Sequence, residues 1–149
     1  MAVADILALP HKPHTFDFAI SIAVVHHLST SERRTEAISS ILETLKSTGR
    51  CLVYVWALEQ ESSRRGWSEG GEQDVMVPWV MRGSKKAARE ASDVPSAVTA
   101  ASADRTFHRY YHLYRKGELE ETFREAGGRV LESGYEKDNW WAIAERSLV

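Results

Sequence analysis

The stretch Phe16-Asp17-Phe18-Ala19-Ile20-Ser21-Ile22-Ala23-Val24-Val25-His26-His27-Leu28 decides how this chain is read. As far as Val25 it is nearly continuous in apolar residues and rich in β-branched ones, the composition of a strand buried on both faces of a parallel sheet. It is therefore expected to be a central strand. Just downstream, Ser29-Thr30-Ser31-Glu32 has the spacing of a capping box, in which a hydroxyl caps a free amide and the acid three residues on returns the bond. Ile38, Ile41, Leu42 and Leu45 then recur at helical spacing, giving one apolar stripe. Gly49 is placed to supply the left-handed backbone common just after a helix, so the helix is expected to end near Thr48. Cys51-Leu52-Val53-Tyr54-Val55-Trp56 opens a second buried strand, expected over 51–58. A strand, a helix and a strand in this order make a unit with a right-handed crossover, and the architecture is α/β.

Working outward, residues 59–82 mix charges, glycines and tryptophans with neither period and read as a long functional loop. Residues 84–104 are dominated by Ala, Ser, Lys and Glu, with too little apolar surface to offset ordering entropy, and are expected to be a disordered insert. Leu119, Phe123 and Ala126 place a helix over 116–126 that stops at Gly127-Gly128. Residues 129–135 and 139–144 read as two closing strands around a turn at Lys137-Asp138.

The whole chain has 149 residues, 43% hydrophobic and 27% charged, the size and composition of one globular domain. A net charge of −2 means that nucleic-acid binding would have to rest on local Lys and Arg clusters, and such clusters are present. The single cysteine, Cys51, excludes a disulfide framework and sits in an apolar run typical of a buried thiol. His11, His14, His108 and His112 lack metal-ligand spacing, so no metal site is expected. No secretory leader and no apolar stretch of about 20 residues is visible, so no membrane association and a cytoplasmic or nuclear location are expected.

Several phrases are more specific than this order of elements. They are Ala4-Asp5-Ile6-Leu7-Ala8-Leu9-Pro10 with Phe16-Asp17, the Val25-His26-His27-Leu28 strand end, and Ser31-Glu32-Arg33-Arg34. Further along come Tyr54-Val55-Trp56-Ala57-Leu58-Glu59-Gln60, Asp74-Val75-Met76-Val77-Pro78-Trp79, Tyr110-Tyr111-His112-Leu113-Tyr114 and Glu136-Lys137-Asp138-Asn139-Trp140-Trp141. Together they resemble the fungal methyltransferases that act on a carboxymethylated wobble uridine in tRNA, a class I S-adenosylmethionine-dependent family. The resemblance covers nearly the whole chain except the Ala/Ser-rich insert. It implies an α/β fold corresponding to the C-terminal half of a Rossmann-like sheet. The family's first strands and glycine-rich turn are missing, since none of the nine glycines makes a G-x-G turn. The chain alone is accordingly expected to bind S-adenosylmethionine weakly.

The same resemblance implies site residues. Asp5 would accept from the adenine amino group, with Ile6, Ser21 and Ile22 beside the cofactor, because ligands in open α/β sheets bind beyond the carboxyl ends of strands. A carboxylate nucleophile is already ionised at neutral pH and needs orientation rather than a base, which a bidentate arginine provides. Arg33, Arg34, Arg64, Arg65 and Arg109 are the candidates, with Arg33 and Arg64 favoured by the family phrases. Any one of them also reads as a solvated surface charge. If strand alternation continues, only one of His26 and His27 faces the pocket; His26 is assigned as the contact and His27 as a packing residue. Arg65, Trp67, Trp79, Arg109, Tyr110 and Tyr111 are candidates for phosphate contact and base stacking on a tRNA anticodon loop, although the two tyrosines read equally well as strand residues. Asp138 and Asn139 are either turn residues or part of the catalytic face. A small zinc-binding activator subunit is the expected protein partner. A non-catalytic RNA- or protein-binding fragment, or a methyltransferase acting on a small carboxylate, are the alternative readings.

Overall fold

The structure is a computed structural model that describes residues 3–60, 67–81 and 105–147. The expected disorder over 84–104 lies outside the described residues, as do Arg64 and Arg65. The chain divides into two compact units, residues 1–75 with 110–149 and residues 76–109.

The larger unit carries a four-stranded sheet in the order β1-β2-β6-β5, formed by β1 (Phe16–Ile22), β2 (Leu45–Trp56), β5 (Gly128–Glu136) and β6 (Asn139–Arg146). β1 and β2 are parallel, and β6 runs antiparallel to both of its neighbours. The turn joining β5 and β6 has positive φ at both Lys137 (47°) and Asp138 (64°), the combination that matches a tight hairpin turn to the right-handed twist of its strands. The expected hairpin is therefore present, with each strand slightly longer than its apolar pattern.

Helix α1 (Ser31–Thr44) crosses between β1 and β2. Its N-cap is Thr30, whose hydroxyl accepts from the Arg33 amide at 3.3 Å, so the cap lies one residue beyond the Ser29 of the sequence pattern. Ala37, Ile38, Ile41 and Leu42 are buried, and they meet Cys51, Val53 and Val55 from β2 with Ala142 and Ala144 from β6. Helix α2 (Glu118–Glu125) adds Leu119 and Phe123 to the same core and stops at Gly127, where φ is 82°. Burying each such Leu, Ile or Phe contributes about 1.5–3 kcal/mol.

Three expectations are corrected. The first is the end of α1, which stops at Thr44 rather than near Thr48, with residues 45–50 running as an irregular start to β2. Gly49 does not have positive φ. Its hydrogen faces the Phe16 carbonyl, and a Cβ there would lie 2.8 Å from that oxygen, so closeness of two backbones rather than handedness requires glycine. The helix carbonyls freed by this early stop are taken by the amides of His14 and Thr15, which donate to Glu43 and Thr44 at 2.9 and 2.8 Å.

The second correction concerns β1, which is an edge strand among the described residues, not a central one. Phe18, Ile20 and Ile22 are 51%, 61% and 58% exposed. Its apolar sequence is that of a strand covered on both sides, yet only β2 pairs with it.

The third concerns 59–82, of which 61–66 and 82 lie outside the described residues: 67–73 is irregular as expected, but the stretch that follows is a strand. Asp74–Met81 forms β3, paired with β4 (Arg105–His112) in a two-stranded ribbon. Pro78 argues against a strand, and from Pro78 to Met81 every residue is exposed, so that half has no buried face to impose a period.

Candidate active site

The carboxyl ends of β1 and β2 converge on a histidine turn. Ala23 follows β1 with φ 58°, a conformation costly for any residue with a Cβ, and donates its amide to Tyr54 O at 3.2 Å. The chain then makes a 3-10 turn, Val25–His27. Strand alternation therefore does not extend to the two histidines, whose rings meet edge to face at 4.6 Å.

His26 is fully buried, and its Nδ1 accepts the Trp56 amide at 3.0 Å. The proton accordingly sits on Nε2, which has no hydrogen-bond partner among the described residues. Burial, reinforced by the charges of His27 and His112, pushes its pKa down to about 3, so the ring is neutral at physiological pH. His27 is half-buried, with Nδ1 3.0 Å from the Tyr110 carbonyl. Tyr111 stacks on Trp56 with centroids 4.3 Å apart and on His26 at 5.2 Å, and Trp67 tilts against Trp56 at 5.9 Å. The result is a slab of rings at the end of the parallel pair.

Beside it lies a charged network. The His112 ring, largely buried, has Nδ1 2.8 Å from Asp74 Oδ1 and Nε2 2.6 Å from Glu118 Oε1. Both contacts are hydrogen bonds only if both nitrogens carry protons. Gln73 and the Arg115 amide donate to the other Glu118 oxygen at 2.6 and 3.0 Å. The Tyr110 hydroxyl donates to Asp74 and lies 3.2 Å from the Ser29 carbonyl. Arg34, buried on α1, donates to Leu28 O at 3.1 Å and lies over the Tyr114 ring. Burial alone would raise the Asp74 carboxyl, but the hydrogen bonds from Tyr110 and His112 hold it below the usual carboxylate range. Glu118 follows the same pattern, with His112 and the Arg115 amide outweighing burial. Tyr110 is pushed up to about 12 by burial and by Asp74.

On the other flank, Asp138 sits in the β5–β6 turn. It accepts the Ala57 amide on its carbonyl at 3.0 Å and the Tyr135 hydroxyl on its carboxylate at 3.0 Å. Asn139 donates to Lys137 O at 2.7 Å. Glu59, three residues after β2, accepts from the Trp140 indole at 3.2 Å. The turn is thus a built part of the sheet's carboxyl edge.

The residues expected to touch the cofactor are partly gathered. Ile6, Ser21 and Ile22 line one open apolar groove of about 550 Å³ that follows β1, with Leu9 and Val24. Asp5 is exposed, and one of its oxygens accepts the Leu7 amide at 3.0 Å in a local turn. Ser21 is 6% exposed and its hydroxyl has no partner among the described residues, which is the kind of polar atom a ligand would satisfy.

Arg33 projects into solvent from the first turn of α1, whereas Arg34 points inward. Trp79 and Arg109 belong to the smaller unit, where the guanidinium lies 4.3 Å from the Trp79 ring centroid. Tyr111 is buried in the larger unit, and the half-buried Tyr110 is tied to it through Asp74 and Ser29. Nothing in the sequence groups Arg34, Asp74, His112 and Glu118 into one network. Arg34 had a readable signal, because it precedes Ile38 and Ile41 by four and seven residues and so falls on the apolar stripe.

A strand, helix and strand whose carboxyl ends form an open edge, closed by an antiparallel hairpin, is the C-terminal half of the class I S-adenosylmethionine-dependent methyltransferase fold. A solved S-adenosylmethionine-dependent methyltransferase from Clostridium acetobutylicum has the same fold, with TM-score 0.64 at 12% identity, covering 97% of this chain and 63% of that one. A methyltransferase domain family matches residues 1–53. The chain is 46% identical to the tRNA (carboxymethyluridine(34)-5-O)-methyltransferase of Schizosaccharomyces pombe over 99% of its own length and 64% of that protein's. It is 42% identical to the protein of the same name from Saccharomyces cerevisiae, over 98% and 68% of the two lengths. The chain belongs to this tRNA (carboxymethyluridine(34)-5-O)-methyltransferase family, and spans about two thirds of the length of these two relatives.

Proposed function

We propose that this chain forms the adenine side of the cofactor site and the substrate face of an enzyme that methylates the carboxylate of 5-carboxymethyluridine at the tRNA wobble position. The observation that carries the proposal is the meeting, at the carboxyl edge of one sheet, of an apolar groove with an orphaned buried hydroxyl and a ring-lined histidine turn. The names of the relatives supply the substrate. Ile6 and Ile22 suit the faces of an adenine, and the Ser21 hydroxyl and the free oxygen of Asp5 suit its polar edge, so the residues present fit S-adenosylmethionine.

When bound, the cofactor supplies an electrophilic methyl on a sulfonium sulfur. The acceptor carboxylate is ionised at neutral pH, its unperturbed pKa being about 4, so the chain has no proton to remove. Its task is to orient and partly desolvate the acceptor. The neutral His26, whose buried Nε2–H has no partner among the described residues, is suited to donate to an oxygen that reaches it without bringing a competing positive charge. The slab of Tyr111, Trp56 and Trp67 excludes water from the same edge.

The partner we propose is the small zinc-binding activator expected from the sequence. Its support here is the uncovered apolar flank of β1, which a partner or a further segment must shield. The test uses the longest protein containing this segment, with labelled S-adenosylmethionine and tRNA bearing carboxymethyluridine. Transfer to an alkali-labile methyl ester is expected. Label that resists mild alkali would place the methyl on nitrogen, carbon or a ribose hydroxyl and overturn the assignment.

A further inference from the structure

In the smaller unit, β3 and β4 form a ribbon whose outer residues are exposed on both strands. On one face, Trp79 and Phe107 lie with ring centroids 6.1 Å apart. Arg109 sits over the Trp79 ring, and Arg105 lies 6.0 Å from the Phe107 centroid. Trp79 keeps 41% of its surface open and Phe107 43%. The described residues of this unit, 76–81 and 105–109, contain no acid. Two large rings left in water, each beside a guanidinium and with no carboxylate among the described residues of the unit to neutralise either, are costly unless something covers them.

We propose that this ribbon face is a docking platform for an unpaired RNA strand, with Trp79 and Phe107 stacking on bases and Arg105 and Arg109 reaching the flanking phosphates. This deepens the tRNA reading above and rests on it for the identity of the nucleic acid. A base has an apolar face matched to an exposed ring, and the phosphate on either side of it is matched to a guanidinium, so an alternation of the two is the pattern that a single strand satisfies. A duplex does not, because its bases are already stacked on one another. A peptide adding itself beside β3 is disfavoured by Pro78, which has no amide to donate, and one adding beside β4 would leave the two rings uncovered. Phe107, absent from the sequence-based set, completes the platform, while Tyr110 and Tyr111 have their rings committed elsewhere.

The test is binding, not catalysis. The 149-residue chain is titrated with an unmodified anticodon stem-loop RNA, with a blunt duplex of equal length and with heparin, at low and high salt. The stem-loop is expected to bind more tightly than either competitor and to quench tryptophan fluorescence. Trp79→Ala and Phe107→Ala should each weaken the stem-loop by roughly tenfold, with the loss persisting at high salt. Trp79→Phe should bind nearly as wild type while losing the quench. Arg105→Gln and Arg109→Gln should each flatten the log–log salt dependence by about 0.7. Equal binding of duplex or heparin, or Ala variants indistinguishable from wild type at high salt, would overturn the platform. Preserved binding through the ribbon together with no ester formation would instead count against the reaction assigned to the larger unit.

Discussion

His112 Nε2 stands 2.6 Å from Glu118 Oε1, joining the last residue of β4 to the first residue of α2. With Asp74 on the opposite nitrogen, the imidazole is held between two carboxylates. The folded state lowers the pKa of Glu118 from its ordinary value of 4.5, so this contribution is fully present above pH 4.5 and is lost as pH falls below it. Glu118→Gln should cost about 2 kcal/mol at pH 7, the range for a hydrogen bond to a charged group. It should cost less at pH 3.5. Urea unfolding at the two pH values checks this, and an equal loss at both would mean that the carboxylate charge is not what stabilises the contact.

His26 acts in a different pH window. Its folded pKa of about 3 lies below the ordinary 6.5, so the unfolded chain takes up a proton first. Stability is therefore intact above pH 6.5 and declines steadily toward pH 3, by about 2 kcal/mol between pH 6.5 and pH 5. His26→Phe should be less stable than wild type at pH 7.5, because the Trp56 amide loses its acceptor at a cost of about 1–3 kcal/mol. Between pH 6.5 and 5 its stability should fall less steeply. Parallel slopes for the two proteins, by thermal unfolding over this range, would show that the ring titrates normally.

Gly49→Ala should destabilise by about 1–3 kcal/mol, the usual cost of overpacking. The new Cβ would press on the Phe16 carbonyl, an obstacle made of backbone that cannot rotate away. The loss should concentrate at the start of β1, read as faster amide exchange at residues 16–18 than in β6. Uniform exchange across the sheet would argue against this local account.

The uncovered edge of β1 should make the isolated chain prone to self-association. Ile20→Lys places a charge on the most exposed apolar residue of that strand. It should raise the concentration at which light scattering appears while changing thermal stability little. A wild-type chain that stays monomeric at high concentration would show that the edge is protected in some other way.

What could be read in the sequence was what local chemistry determines. The stripe from Ile38 to Leu45 located α1, and Lys137-Asp138 located the hairpin. The family phrases fixed the fold class, because motifs in order carry information that periodicity lacks. What could not be read depended on distant partners. The same apolar run describes a covered strand and an edge strand, and only the identity of its neighbours separates them. His112 lies in one of the family phrases, but Asp74 is 38 residues before it, and the pairing of the two comes from the fold that joins them. His26 was singled out, but its burial and tautomer follow from the Trp56 amide, 30 residues away.

The antiparallel pairing of β2 with β6 also imposes an order on biosynthesis. Cys51 and Ala144 are neighbours in the sheet but 93 residues apart in the chain. A ribosome adding roughly 5–20 residues per second needs about 5–20 s to make the stretch between them. Throughout that interval the apolar strand 51–56 has a parallel partner on one side and none on the other. Nascent chains of this protein are therefore natural clients for chaperones that shield unpaired strands, and truncations that remove β6 should be found in aggregates rather than in partly active fragments.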